Sequence, residues 1–107
     1  MTELQKLVAR IRRSAAKRIL FLPHAIRQMS KPERMITTSD IRSVVENGDI
    51  VEDYPDDVRG HSCLVLGYAD KRPIHIVCAP KGDYLAIITA YLPNDYEWEG
   101  GYRKRKK

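Results

Sequence analysis

A change of hydrophobic period at Gly48 divides the sequence and does most to limit what it can fold into. Before Gly48, apolar residues recur every three to four positions. Leu4, Leu7, Val8, Ile11 and Ala15 mark a helix over residues 3–18, and Thr2 and Gln5 have the spacing of a capping box. Lys6, Arg10, Arg13 and Lys17 fall on the opposite side. A short second helix is expected from Pro23, a residue suited to a first helical turn, through His24, Arg27 and Gln28, until Lys31-Pro32 interrupts it. A third is expected over 39–47, where Thr37 and Asp40 cap, Ile41, Val44 and Val45 form the apolar side, and Gly48 stops it.

Beyond Gly48 the runs are short and β-rich: Ile50–Tyr54, Ser62–Tyr68, Pro73–Ala79 and Tyr84–Tyr91. Pro55-Asp56-Asp57, Ala69–Arg72 and Pro80–Asp83 separate them, and links this short favour an antiparallel meander. The expected fold is therefore α+β, with two to three N-terminal helices packed on one face of a four-stranded, mainly antiparallel sheet. Closing the Asp70-Lys71 turn sets Cys63 opposite Cys78 and Leu66 opposite His75; closing the next turn sets His75 opposite Ile88. By alternation one face carries Leu64, Leu66, His75, Val77, Ala86 and Ile88, and is expected to meet the helices. The other carries His61, Cys63, Val65, Ile76, Cys78, Ile87, Thr89 and Tyr91; because it mixes apolar and polar groups, the functional surface is expected there.

With 107 residues, 43% hydrophobic and 31% charged, the chain is too apolar for disorder and suits one domain. That domain is expected over residues 1–99, with 100–107 a flexible basic tail after Gly100-Gly101. The longest apolar run, Ile19–Leu22, is far short of a membrane span, and the basic, amphipathic Met1–Arg18 reads as helix rather than signal peptide. A cytoplasmic protein is expected, with Cys63 and Cys78 as reduced, buried thiols.

The net charge of +5 is segregated by sign. Residues 1–45 sum to +7, residues 46–102 to −7, and Arg103–Lys107 adds +5. Basic ends around an acidic middle suit a polyanion, nucleic acid first, although a solvated helix face with a loose tail has the same composition. The cations expected to meet RNA are Arg27, Arg59, Lys81, Arg103, Lys104 and Arg105.

No Walker loop, dinucleotide fingerprint, H-E-x-x-H motif or nucleophile elbow is present. His61, Cys63, His75 and Cys78 have the residue types of a zinc site, but the expected register turns His75 away from the others, so no metal or other cofactor is expected. Histidines are then the acid–base candidates. His24 sits at a helix start with Arg27 and Arg34 following. His61 lies in a polar loop beside Arg59. His75, central in its strand, reads as a satisfied core residue. Thr89 and Tyr91 lie near the end of the last strand, far from His61, and Trp98 is expected to clamp the C-terminal segment to the core.

Several of these runs, taken in order, form a pattern. They are His24–Met29, Pro32–Ile36, Gly48–Tyr54, Gly60–Leu64, Pro73–Ala79 and Ile87–Pro93. Over about residues 20–99 the chain resembles the bacterial and archaeal domain-of-unknown-function 4258 family, which is similar to RelE-like ribonuclease toxins. The resemblance implies helices on a four-stranded antiparallel sheet (RelE-like or barnase-like) and a toxin encoded beside an MqsA-like zinc-finger antitoxin. It places the family's leading histidine at His24, its downstream arginine at Arg34, and its last-strand pair at Thr89 and Tyr91. The chain departs from the pattern at Gln28, with the basic group moved to Arg27 and a Lys31-Pro32 insert lengthening the spacer.

The function expected from this combination is a metal-independent endoribonuclease toxin, in which the RNA 2′-hydroxyl is the nucleophile. His24 would move protons, Arg34 would hold the scissile phosphate and Tyr91 would orient a base or proton, with Thr89 and His61 as further candidates. The expected partners are RNA, including ribosome-associated mRNA, and a cognate antitoxin. The alternatives are a non-catalytic RNA- or ribosome-binding module and a protein-interaction domain docking through its acidic 46–57 segment.

Overall fold

Local capping sets the helices. In the computed structural model, which describes all 107 residues, α1 (Glu3–Lys17) begins on Thr2, whose side chain accepts from Gln5 N at 3.1 Å while Gln5 Oε1 accepts from Thr2 N at 2.8 Å. The same reciprocal pair joins Thr37 and Asp40, both bonds at 3.0 Å, at the start of α3 (Thr38–Asn47). Between them, α2 (Pro23–Met29) starts on its proline and stops before Lys31-Pro32. The strands are β1 (Ile19–Phe21), β2 (Asp49–Tyr54), β3 (Ser62–Ala69), β4 (Arg72–Pro80), β5 (Leu85–Tyr91), β6 (Trp98–Glu99) and β7 (Lys104–Arg105).

The architecture is α+β with three helices, and the sheet has five strands rather than four, in the order β1-β5-β4-β3-β2. The added strand is β1, which pairs parallel with β5 from Ile19↔Leu85 to Phe21↔Ile87, so the sheet is mixed. Three residues carry no periodicity of their own. What holds them is the exposed edge of β5, and Leu85 N and Arg18 O extend the same ladder at 2.8 Å.

Asp70 and Lys71 both take left-handed backbone angles, φ 53° and 62°, as a two-residue hairpin turn demands. That turn fixes Cys63↔Cys78 and Leu66↔His75, as the sequence reading has it. The next hairpin differs. The turn closes with Pro80 opposite Leu85, two residues beyond the expected register, and the register shifts by one more between Val77 and Cys78, so His75 lies opposite Tyr91 and not Ile88. The extra residue moves Thr89 and Tyr91 onto the His75 face of the sheet.

The helices cover the face opposite to the one expected. Leu7, Ile11, Ile41, Val44 and Val45 bury against Cys63, Val65, Ile74, Ile76, Cys78, Leu85 and Ile87 in one cluster. Gly67 permits the close approach of α3, since a Cβ there would stand 2.8 Å from Val44 Cγ1. Cys63 and Cys78 are both fully buried in this layer; the contact with Cys63, together with burial, holds the Cys78 thiol protonated.

The second face, bearing Leu64, Leu66 and His75, is covered by the C-terminal segment. Where a flexible tail is expected, β6 and β7 pair as a small hairpin, Trp98↔Arg105 and Glu99↔Lys104. Trp98 is 3% exposed and packs edge-on against His75, with centroids 4.4 Å apart, which makes it the clamp its position suggested. Arg103 Nη2 reaches Asp49 at 2.9 Å, and Arg105 forks onto Glu52 at 2.8 and 3.0 Å. The acidic strand β2 thus meets two of the tail cations. No helix is long and apolar enough to cross a membrane.

Candidate active site

The bulge in the β4–β5 pair builds the site. By carrying Tyr91 across to His75, it sets Tyr91 Oη 3.2 Å from His75 Nδ1. The other ring nitrogen, Nε2, lies 2.8 Å from the carbonyl oxygen of Tyr102. A carbonyl can only accept, so Nε2 carries the proton. In the neutral ring Nδ1 is therefore bare, and Tyr91 donates its phenolic proton to it. Burial lowers the His75 pKa, against the upward pull of the Tyr102 carbonyl, and keeps the ring neutral near pH 7. Burial likewise raises the Tyr91 phenol above its ordinary value.

Beside Tyr91 opens a cleft of about 340 Å³, lined among others by Arg34, Asn94, Glu97, Trp98 and Arg105. Arg34 comes from the loop between α2 and α3. Its Nη1 donates to Gln28 Oε1 at 2.6 Å and to the Gln28 carbonyl at 3.4 Å. Gln28 is thus the residue that aims Arg34. The loop is pinned from below by Arg72, which donates to the Arg34 carbonyl, to Met35 O at 3.3 Å and to Asp40 Oδ2 at 3.4 Å. Met35 takes a left-handed φ of 46°, and the two terminal guanidinium nitrogens of Arg72 are spent holding that turn and Asp40, while its Nε is buried without a partner.

Arg105 closes the other side. It stacks on Trp98 at 4.7 Å from the ring centroid while forking onto Glu52. Its hydrogen bond is the largest influence lowering the Glu52 pKa. Tyr54 also donates to Glu52; burial first, then that bond, pushes its phenol up to about 12. Two guanidiniums and a phenol backed by a neutral imidazole therefore face one cleft. Such a set can neutralise a phosphate and move a proton.

The residues named from sequence divide accordingly. Arg34, Tyr91 and Arg105 line the cleft, and Thr89 lies on the same strand and face, paired with Val77. His24 is exposed at the second position of α2 and does not line it, and Arg27 is exposed in the last turn of that helix. His61 lies at the far end of the sheet, its Nε2 2.6 Å from Asp53 Oδ1. Nearby, Arg59 forks onto Asp57 at 3.0 and 3.1 Å, and Lys81 donates to the Arg59 carbonyl. Arg103 is paired with Asp49, and Lys104 is exposed in β7.

His75, Gln28, Trp98 and Glu52 were not read from sequence as site residues. For His75 the missing signal was the bulge, which no local pattern announces. A further concavity of about 570 Å³ between α1 and β2 contains none of the acid–base candidates.

The model for a domain of unknown function (DUF4258) matches residues 21–92, most of the chain. The protein belongs to this family. No curated protein and no solved structure matches it. The DUF4258 span begins with the last residue of β1 and ends just past Tyr91, so it includes Arg34, Gln28, His75 and Tyr91. Trp98 and Arg105, which complete the cleft, lie outside it.

Proposed function

We propose that the protein is an endoribonuclease, the toxin half of a toxin–antitoxin pair, acting on RNA in the Arg34–Tyr91 cleft. The observation that carries this reading is the meeting of Arg34, Arg105 and the Tyr91–His75 pair around one opening. The toxin assignment and its antitoxin partner rest on the likeness of the family to RelE-like toxins.

RNA supplies its own nucleophile, so the protein has to hold a phosphate and accept one proton. Arg34 and Arg105 bracket the scissile phosphate and stabilise the charge that gathers on its oxygens in the transition state. The 2′-hydroxyl gives its proton to Tyr91 Oη as Tyr91 passes its own to His75 Nδ1. The 2′-oxygen bonds to phosphorus and the 5′-oxygen departs, taking a proton from water. The products are a 2′,3′-cyclic phosphate and a 5′-hydroxyl end, and His75 later returns its proton to solvent. Neither His24 nor His61 enters this scheme.

The test is incubation of purified protein with RNA and with translating ribosomes in the presence of a chelator, followed by analysis of the ends produced. Cyclic phosphate and 5′-hydroxyl ends, absent with a 2′-O-methyl substrate and with Tyr91→Phe protein, are expected. Binding of RNA without cleavage in any of these settings would identify a recognition module instead.

A further inference from the structure

The cleft uses none of the cations on α1. Arg10, Arg13 and Lys17 stand three and four residues apart along that helix, on the side turned from the core. Between Arg13 and Lys17 the helix turns Ser14 inward, and the β4–β5 turn rises against it. Ser14 is buried, and its hydroxyl accepts from Gly82 N at 3.3 Å, tying helix and turn together. The result is a groove of about 450 Å³ among Arg10, Arg13, Lys17 and Lys81, its wall completed by Ser14, Pro80 and Gly82.

The charges in this groove are poorly neutralised. No carboxylate lines it, and neither Arg10 nor Arg13 takes part in an ion pair. Lys17 faces Asp83 at 3.9 Å with both side chains largely exposed, a contact worth little. Lys81 adds its charge from the Arg59 carbonyl, which holds its ammonium. Unpaired guanidiniums suit phosphate oxygens, and a wall without an aromatic ring gives a base no π-face to stack on. Such a groove reads a backbone and not a sequence.

It also stands apart from the cleft. The groove is at the Pro80 end of β4 and on the helix side, whereas Tyr91 pairs with His75 near the other end. The strand between His75 and Pro80 measures roughly 16 Å at strand rise. Because the two sites also lie on opposite faces of the sheet, a single strand needs more than about five stacked nucleotides, at about 3.4 Å each, to reach from one to the other.

We propose that the groove of Arg10, Arg13, Lys17 and Lys81 is a second, sequence-independent site that holds the phosphates of single-stranded RNA at a distance from the cleft. It rests on RNA as the substrate, and its test is independent of cleavage. The probe is a fluorescent 2′-O-methyl oligonucleotide longer than that span, which cannot undergo 2′-hydroxyl attack, with binding measured at several salt concentrations. Arg10→Ala/Arg13→Ala is expected to flatten the slope of log K against log salt by about 1.4, at about 0.7 per phosphate contact. Lys71→Ala, which removes an exposed cation in the β3–β4 turn, is expected to leave the slope unchanged.

On RNA substrates the same double variant should raise KM for long strands and leave a dinucleotide unaffected. An unchanged slope in a variant that melts like wild type would overturn the proposal. So would equal loss of polyglutamate binding, which would assign the groove to an acidic protein. Wild-type protein that binds the probe with the expected slope but cleaves nothing would overturn the cleft reading and leave the groove standing.

Discussion

Tyr91 Oη lies 3.2 Å from His75 Nδ1 across the β4–β5 pair, and the Tyr102 carbonyl fixes the opposite ring nitrogen at 2.8 Å. The first contact depends on the bulge at Val77/Cys78 and the second on the C-terminal hairpin folding over the sheet. One residue therefore joins the meander to the segment that covers it. The imidazole has a defined tautomer because the Tyr102 carbonyl can only accept, and the Tyr91 hydroxyl follows by donating to Nδ1.

Tyr91→Phe should lower cleavage by about 10²- to 10⁴-fold, the usual span for loss of a general acid–base group. The fold should lose about 1–3 kcal/mol, since the ring remains but the buried His75 Nδ1 is left without its donor. His24→Ala should retain cleavage within about threefold, because the exposed ring stands outside the cleft. Rates for the two proteins, with thermal melts alongside, check both halves. A dead His24→Ala protein that melts normally would move the proton transfer to α2.

The pH dependence follows from His75. Its folded pKa is depressed by burial, so the unfolded chain binds the proton more readily. The stability contributed by the neutral ring is complete above the ordinary value of about 6.5 and is lost as pH falls from there toward the lowered folded value. Cleavage should fall on the acid side too, because a protonated Nδ1 no longer accepts from Tyr91. No basic limb is expected near neutrality, since the Tyr91 phenol is held above its usual 10. Glu52, depressed by Arg105, adds a separate loss only below about 4.5. Urea melts of wild type and His75→Gln from pH 8 to 5 check the sign: the wild type should lose stability with acid, and the variant should lose less.

Gln28 is expected to act on the reaction through Arg34. Gln28→Leu removes the acceptor that holds Nη1 at 2.6 Å, and a guanidinium free to swing should cost about tenfold in kcat with little change in melting. Gln28→Glu keeps an oxygen in the same place and should restore most of the rate. Arg34→Lys should not rescue, because a single ammonium cannot both fork onto phosphate and reach Gln28. Steady-state kinetics across the three variants separate aiming from simple charge.

What could be read from sequence was local. The boxes at Thr2/Gln5 and Thr37/Asp40 act within one helical turn, and the Asp70-Lys71 turn fixes the Cys63–Cys78 register within a few residues. What could not be read depends on distant partners. Ile19–Phe21 is a strand only because the edge of β5 is free. The bulge beyond Val77 changes the partner of His75 without altering any alternation visible in β4. The choice of face was misread because both faces are rich in apolar residues, so periodicity could not say which one the helices take. Of the cleft, Arg34 and Tyr91 were found through the family pattern, whereas His75 and Gln28 needed the fold.

Lys71 is the weak point of a turn whose partner positions favour glycine. At φ 62° its Cβ crowds the backbone, a penalty of about 1–2 kcal/mol for a non-glycine residue in the left-handed region. Glycine removes that penalty but adds chain entropy to the unfolded state, about 0.5–1 kcal/mol. Lys71→Gly should therefore stabilise by about 0.5 kcal/mol, readable as a higher urea midpoint at unchanged m-value. A lower midpoint would mean that the lysine side chain makes a contact worth more than its strain.

Arg105 tests whether the C-terminal residues are a loose basic tail or part of the fold. Its guanidinium forks onto Glu52 and lies over Trp98, but its side chain is 59% exposed, so each contact is weakened by solvent. The ion pair is worth about 1 kcal/mol at most, and the stacking about 0.5 kcal/mol. Arg105→Ala should thus lower stability by about 1 kcal/mol, or by several degrees of melting temperature in a domain of this size. Because the ion-pair share is screened, the gap between wild type and variant should narrow at about 1 M salt, while the stacking share persists. A loose tail would show no gap at either salt concentration. Cleavage should fall as well, since the same guanidinium lines the cleft, and the rate loss should survive under conditions where the stability gap has narrowed.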